Sequence, residues 1–199
     1  MFYDLAHFIR NHCSCIWEII ERGNAWLFAM SHYKQLENIP QVLNEYCNQY
    51  KYKYKLATAD DVPALVSFFS RQPNEAFVYF KPHGFDKKSL ERVCRNKAFL
   101  TFLVYDSGEI VGYFFMHCFF SGKAFRGKFV DARYYGQGIA VEMGHIMTDV
   151  ARRLRLRVFG SISPDNYASL ASAKKSNDLK IIKTLDNGYY YIEFVEKHI

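Results

Sequence analysis

The sequence predicts an α/β fold in which a mixed sheet carries helices on both faces, behind an N-terminal helical extension. Three observations predict it. Residues 1–50 show helical spacing of apolar residues and no strand-like alternation. From Lys51 onward, short alternating runs rich in β-branched and aromatic residues recur. Segments of helical period interrupt those runs at uneven intervals, which is neither strict βα alternation nor an all-β pattern. Half of the 199 residues are hydrophobic, with 18 Phe and 15 Tyr, so the chain can build a real core and is not disordered.

The extension opens with "FYDLAHFIRNHCSCIWEIIER", where Phe2, Leu5, Phe8/Ile9, Ile16 and Ile19/Ile20 recur near helical spacing. Gly23 and Asn24 can end that helix. "QVLNEYCNQY" after Pro40 is a second helical piece. Trp17, Trp26, Leu27 and Phe28 need cover, either from the rest of the chain or from a second copy in a homodimer. The division is therefore a helical extension over 1–50 and one domain over 51–199.

"YKYKLAT" alternates as a strand. Thr58, with Asp61 three residues on, resembles a capping box and starts a helix through Val62, Leu65, Val66 and Phe69. "FDKKSLERVCRN" is a short helix. "AFLTFLVY" and "IVGYFFMHCFF" are strands joined by the turn "DSGE", and "GKFVDARY" is the next strand. "GIAVEMGHIMTDVARRL" is a helix, with Ile139, Met143, Ile146/Met147, Val150 and Leu154 on one face. "LRVFGSI" is a strand, "SPDNYASLASAKKSN" a helix opened by polar residues, and "LKIIKTL" with "YYYIEFV" a hairpin around "DNG". The order after the extension is βααβββαβαββ.

No run approaches the ~20 apolar residues of a membrane span, and the start lacks the basic and apolar regions of a secretory signal. The expected location is cytoplasmic. The five cysteines, Cys13, Cys15, Cys47, Cys94 and Cys118, are odd in number and form no CxxC pair, which fits a reducing compartment. His7, His12, Cys13 and Cys15 lie close together, but no second ligand pair follows at finger spacing, so no metal is expected. The net charge is +6, and eight basic residues face three acids between Ser121 and Gly160. Such a segment suits a phosphate-bearing partner. No nucleic-acid reader motif accompanies it.

That basic segment holds "DARYYGQGIAVEMG". Gly136 and Gly138 stand where a strand ends and a helix begins. The first amides of a helix lack internal partners, and the dipole is positive there, so the position is an anion site. Glycines would let a diphosphate approach the backbone without Cβ clashes. The third glycine of a dinucleotide fingerprint is replaced by Val141, and the P-loop pattern is absent.

The strand–"YYGQGIA"–helix unit resembles motif A of the GCN5-related N-acetyltransferases, the GNAT superfamily, whose pattern is [QR]-x-x-G-x-[GA]. Gly138 and Ala140 match its last two fixed positions, whereas Tyr135 stands where Gln or Arg is usual. "YKYKLATADD" resembles the family's first strand and helix start, "GEIVGYFFMH" its strand with an "IVG" entry, and "SPDNYASLASAKKSN" its motif B, with Asn166 in the Asn position. The resemblance covers about three quarters of the chain and omits the first fifty residues. It implies a mixed, mostly antiparallel sheet and an acetyl-CoA-dependent N-acetyltransferase. It places acetyl-CoA at Val130, Tyr135, Gly136, Gln137, Gly138, Ile139, Ala140 and Asn166. Ala173 stands where many members carry an acidic-proton Tyr, so the leaving thiolate would take its proton elsewhere, from Tyr167 or water.

Acyl transfer to an amine needs a base and an electrophilic site. His117, within "YFFMHCFF", and Asp131, at the strand end, are the base candidates. Glu142 reads as a solvated helix residue. "NEAFVYFKPHGFD" offers Tyr79, Lys81 and His83 to a substrate, and "GKAFRG" adds Lys123 and Arg126 for a substrate phosphate. "YFKPHGFD" and "GKAFRG" also resemble acetyltransferases of surface-polysaccharide synthesis, which implies a small-molecule amine, an amino-sugar nucleotide among the choices. A non-catalytic acyl-CoA-binding module and a protein or peptide N-acetyltransferase remain the alternatives.

Overall fold

A computed structural model describes residues 14–197, with side chains from Glu18 onward. The readings made on residues 1–13, and on the side chains of Cys15, Ile16 and Trp17, lie outside the described residues.

Among the described residues three helices come first: α1 (Ser14–Ser31), α2 (Tyr33–Glu37) and α3 (Ile39–Gln49), the last with Pro40 in its first turn, where its missing N–H costs nothing. Then follow β1 (Lys53–Leu56), α4 (Val62–Ser70), α5 (Lys87–Arg95), β2 (Phe99–Asp106), β3 (Glu109–Phe119), β4 (Lys123–Val130), α6 (Ile139–Arg153), β5 (Arg157–Ile162), α7 (Tyr167–Ser176), β6 (Asp178–Thr184) and β7 (Tyr190–Val195). After the extension this is the order read from the sequence. Within the extension Gly23 and Asn24 do not end the first helix, which runs on to Ser31, because Asn24 and Phe28 are held against β3 and the core.

The strands form one seven-stranded sheet in the order β1-β2-β3-β4-β5-β7-β6. Every join is antiparallel except β4–β5. Ser107 and Gly108, both at positive φ, close the β2–β3 hairpin, as a two-residue turn of primed type requires. At the start of α4, the Thr58 amide donates to Asp61 Oδ2 at 2.8 Å, so the cap predicted from Thr58 and Asp61 forms.

Strand parity sends alternate side chains to two cores. One core holds Val104, Phe114, Met116 and Ala124 under Ile139, Met143, Ile146 and Met147 of α6, together with Phe28 of α1 and Val42 and Leu43 of α3. Gly112 on β3 leaves room for this packing: a Cβ there would lie 2.3 Å from Met143 Cε and 3.1 Å from Val104 Cγ2, and the methionine end would have to shift. The other core is aromatic. Phe68 and Phe69 of α4 meet Tyr113, Phe115 and Phe129 from the sheet, with Phe77, Phe80 and Phe85 from the connection to α5.

Helix α1 is fastened to the end of β3 by a side chain that imitates a strand. Asn24 Nδ2 donates to the Cys118 carbonyl at 2.9 Å, and its Oδ1 accepts the Phe120 amide at 3.2 Å. β2 begins only at Phe99, opposite His117, so Asn24 continues the ladder where β2 has not begun. Phe28 is buried, whereas Ile19, Trp26 and Met30 are largely exposed. Asn24→Ala leaves both backbone groups unpaired and should cost about 1–3 kcal/mol, read as a lower urea midpoint with an unchanged slope.

Candidate functional site

The one parallel join is also the shortest ladder. β4 and β5 pair at Lys123–Arg157, Ala124–Val158 and Phe125–Phe159, and no further. β4 continues to Val130 and β5 to Ile162. From Arg126 on, the two strands present unpaired backbone edges to each other in the middle of the sheet.

The chain leaves the end of β4 through a short turn at Ala132–Tyr134 and enters the exposed segment Tyr135–Gly138. Gly136 has φ +79° and Gly138, the N-cap of α6, φ +87°. Both conformations are open to glycine and strained for a side chain, and a Cβ on either would point into open space. The amides of Gly136, Gln137, Gly138, Ile139 and Ala140 find no acceptor among the described residues, the first internal bonds being Val141 and Glu142 to the Gly138 carbonyl. Five free donors therefore lie in sequence at the positive end of a fifteen-residue helix, just past the end of β4. Gln137 is held by the Tyr52 hydroxyl, which donates to its Oε1 at 2.9 Å.

The α4–α5 face of the split carries an aromatic platform. Phe125, Phe159 and Tyr191 lie with ring centres 5.6–6.3 Å apart, and Phe119 stands edge-on to Phe125 at 5.9 Å. Phe125 is 39% exposed. His117 is paired across the ladder with Phe125, so it shares this face one strand away. Its Nε2 lies 3.1 Å from Glu21 Oε2 of α1. On the opposite face, Lys128 Nζ donates to the Ala140 carbonyl at 2.7 Å.

No protein-family model and no curated protein matches the sequence. Solved structures do match. The GNAT domain of S. lividans PAT superposes with a TM-score of 0.64 at 18% identity, over 72% of this chain and 89% of that one. The fold is the GNAT fold. Ribosomal-protein-S5-alanine acetyltransferase from Vibrio fischeri gives 0.62 at 14% identity, over 74% and 94%. PaiA N-acetyltransferase from Thermoplasma acidophilum, solved in complex with coenzyme A, gives 0.60 at 11%, over 74% and 100%.

On this GNAT fold several residues singled out in the sequence change role. Asp131 is buried and acts as a latch: Oδ2 accepts from Arg71 Nε at 3.2 Å and Arg133 Nη2 at 2.9 Å, and Oδ1 from the Arg133 amide at 3.0 Å. Burial opposes its charge, but the bonds from Arg133, Gln72 and Arg71 prevail and hold the carboxyl well below the usual range. Such a group is a poor base. Arg126 points away from the aromatic platform into the α6 side, where its Nη2 donates to Asn177 Oδ1 at 2.7 Å and its guanidinium lies over the Phe194 ring at 3.5 Å. It is buried and out of reach of a substrate phosphate. His83 is a packing residue: Nδ1–H donates to the Gly84 carbonyl at 2.8 Å, Nε2 accepts the Tyr113 hydroxyl at 2.7 Å, and burial lowers its pKa. Glu142 accepts the Tyr54 hydroxyl instead of standing free in solvent.

Other candidates keep open positions. Tyr79 and Tyr135 are exposed. Val130, half-buried, ends the unpaired edge of β4. Asn166 caps α7, its Oδ1 accepting the Ser169 amide at 3.0 Å, which leaves Nδ2 without an acceptor among the described residues. Ala173 is buried in the core and Tyr167 is 76% exposed. A hollow of about 330 Å³ lined by Asn38, Ile39, Val150 and Arg153 lies elsewhere, between α3 and α6. Among the described residues no His, Cys, Asp and Glu cluster could hold a metal, and no helix is long and apolar enough to cross a membrane.

Burial, and then the nearby Arg126, push the Lys128 ammonium from its ordinary 10.5 down to about 7. In the unfolded chain the amine keeps its proton up to about 10.4. Between these values the unfolded state binds more protons, so folding stability should rise as pH increases from about 7 to about 10. Lys128→Met should flatten that rise and raise the denaturant midpoint at pH 7.

Proposed function

We propose that the protein is an acetyl-CoA-dependent N-acetyltransferase acting on a primary amine of a small molecule. The observation that carries this reading is the row of free amides at Gly136–Ala140, on a helix N-terminus beside an unpaired strand edge, in a GNAT fold. The amides suit a diphosphate, and the open space at both glycines admits one. The coenzyme A in the Thermoplasma PaiA structure supports the same ligand class. Val130, at the end of the free β4 edge, and Asn166 Nδ2 would bind the arm that leads from the diphosphate to the thioester.

The reaction forms one C–N bond and breaks one C–S bond. The neutral amine attacks the thioester carbon, the carbonyl oxygen gains charge, and free β4 amides offer it hydrogen bonds. His117 takes the proton that the amine sheds. The coenzyme leaves as thiolate and is protonated by water or by the exposed Tyr167. The platform of Phe125, Phe159 and Tyr191 favours an acceptor with a flat or sugar-like ring, an amino sugar included. With Arg126 buried, Lys123 is the remaining cation of "GKAFRG" open to an acceptor phosphate. Ile19, Trp26 and Met30 form one stripe at helical spacing that is exposed among the described residues, and we assign it to a second copy.

Gly138→Val places a β-branched residue at φ +87°, where it is strained, and fills the space beside the free amides. Titration calorimetry with acetyl-CoA should show at least about tenfold weaker binding, with unfolding still cooperative. Unchanged affinity overturns the assignment of the loop. Light scattering should give twice the chain mass for the natural protein and the single-chain mass for Trp26→Glu/Met30→Glu; a single-chain mass for both overturns the dimer.

A further inference from the structure

The base proposed above does not stand alone. His117 comes from β3, and the carboxylate beside it, Glu21, comes from α1, 96 residues earlier in the chain. Both side chains are about one-fifth exposed, so the pair sits at the surface of the platform rather than deep in the core. Phe99 and Phe119 flank the imidazole, with ring centres at 5.3 and 4.6 Å. Helix α1 is held at this point by more than the ion pair. Asn24, one helical turn after Glu21 and on the same face, grips the backbone of Cys118 and Phe120, the two residues that follow His117 on one side or the other of Phe119. One turn of α1 thus grasps the strand through Asn24 and the ring through Glu21.

We infer that Glu21 is a positioning residue for His117, and that helix α1, which precedes the strands of the sheet, completes the catalytic site. The carboxylate accepts the Nε2–H. A neutral imidazole has one protonated and one bare nitrogen, so this bond selects the tautomer whose Nδ1 carries the lone pair. During acyl transfer the amine proton moves to Nδ1, and the imidazolium formed is paired with Glu21. A carboxylate orients a general-base histidine in the Ser-His-Asp triad in the same way, there through Nδ1–H with Nε2 as the base and here with the two nitrogens exchanged. A plain surface ion pair contributes about 0–1 kcal/mol to stability and would leave the chemistry untouched, so the two roles are separable.

This inference rests on the acyl-transfer reading, and its test separates the two. Four proteins are compared: the natural chain, His117→Gln, Glu21→Ala and the double variant. Turnover is followed as thiol release from acetyl-CoA, with whichever of glucosamine, spermidine, lysine and an alanine-initiated peptide reacts fastest. His117→Gln should lower kcat by roughly 10²-fold or more. Glu21→Ala should lower kcat by about 10-fold or more with KM for acetyl-CoA unchanged. The double variant should be no slower than His117→Gln, because Glu21 acts only through the ring. In ¹⁵N-histidine spectra the natural protein should show the Nε2–H tautomer of His117, and Glu21→Ala should shift it toward a mixture; this needs no acceptor. Full activity in His117→Gln overturns the base assignment itself. A slow His117→Gln beside a fully active Glu21→Ala, losses that multiply in the double variant, or a tautomer unmoved by Glu21→Ala overturns the role of Glu21 alone.

Discussion

A three-rung ladder organises this protein. Among the described residues six strand joins hold the sheet together, and the sole parallel one stops after Phe125 and Phe159. Where it stops, backbone groups that a sheet ordinarily satisfies are left facing each other. The loop with its two left-handed glycines leaves from the end of one diverging strand, and helix α7 begins beyond the end of the other. The aromatic platform and His117 lie on one face of the gap, and Lys128 lies on the face toward α6. If β4 and β5 paired over their full length, the free amides of α6 would still exist, but no unpaired strand edge would stand beside them.

Charge is handled differently on the two sides of that gap. Asp131 is buried and accepts from two arginines, one from the end of α4 and one from the loop, so a single carboxylate ties the α4–α5 layer to the end of β4. Arg126 and Lys128 are turned toward α6 with an amide oxygen, an aromatic ring and a main-chain carbonyl as partners, and no ion pair with a carboxylate among the described residues. A guanidinium keeps its proton even so. An ammonium yields, which is why the shift of Lys128 brings it to the edge of neutrality near pH 7.

The order of the elements was legible because each segment's period is unambiguous and its turns carry Gly, Asn or Asp at the expected places. The glycine loop was legible for the same reason: paired glycines at a strand-to-helix junction have few uses. Side-chain roles were less so. In "KAFRGKFV", alternation separates Phe125 and Phe129 from Arg126 and Lys128, and a polar alternate face normally reads as solvated. Here α6 covers that face, so a residue that looked available is buried. Arg71, which joins Arg133 at Asp131, and Glu21, which holds His117, lie 60 and 96 residues away, and no local pattern encodes a contact of that span. His83 reads as a polar group in an aromatic loop, yet its two nitrogens are both occupied within the fold.

The seating of α1 on β3 bears on how the chain is made. Synthesis delivers α1 before the sheet, and its dock, the backbone of Cys118 and Phe120, is joined to the chain about a hundred residues later. At roughly 5–20 residues per second that is an interval of about 5–20 s. Throughout it Asn24 has no ladder to extend, and Phe28 has no sheet beneath it. The nascent helix must therefore wait as an apolar segment in the open until the residues that seat it have been made, about a hundred positions later.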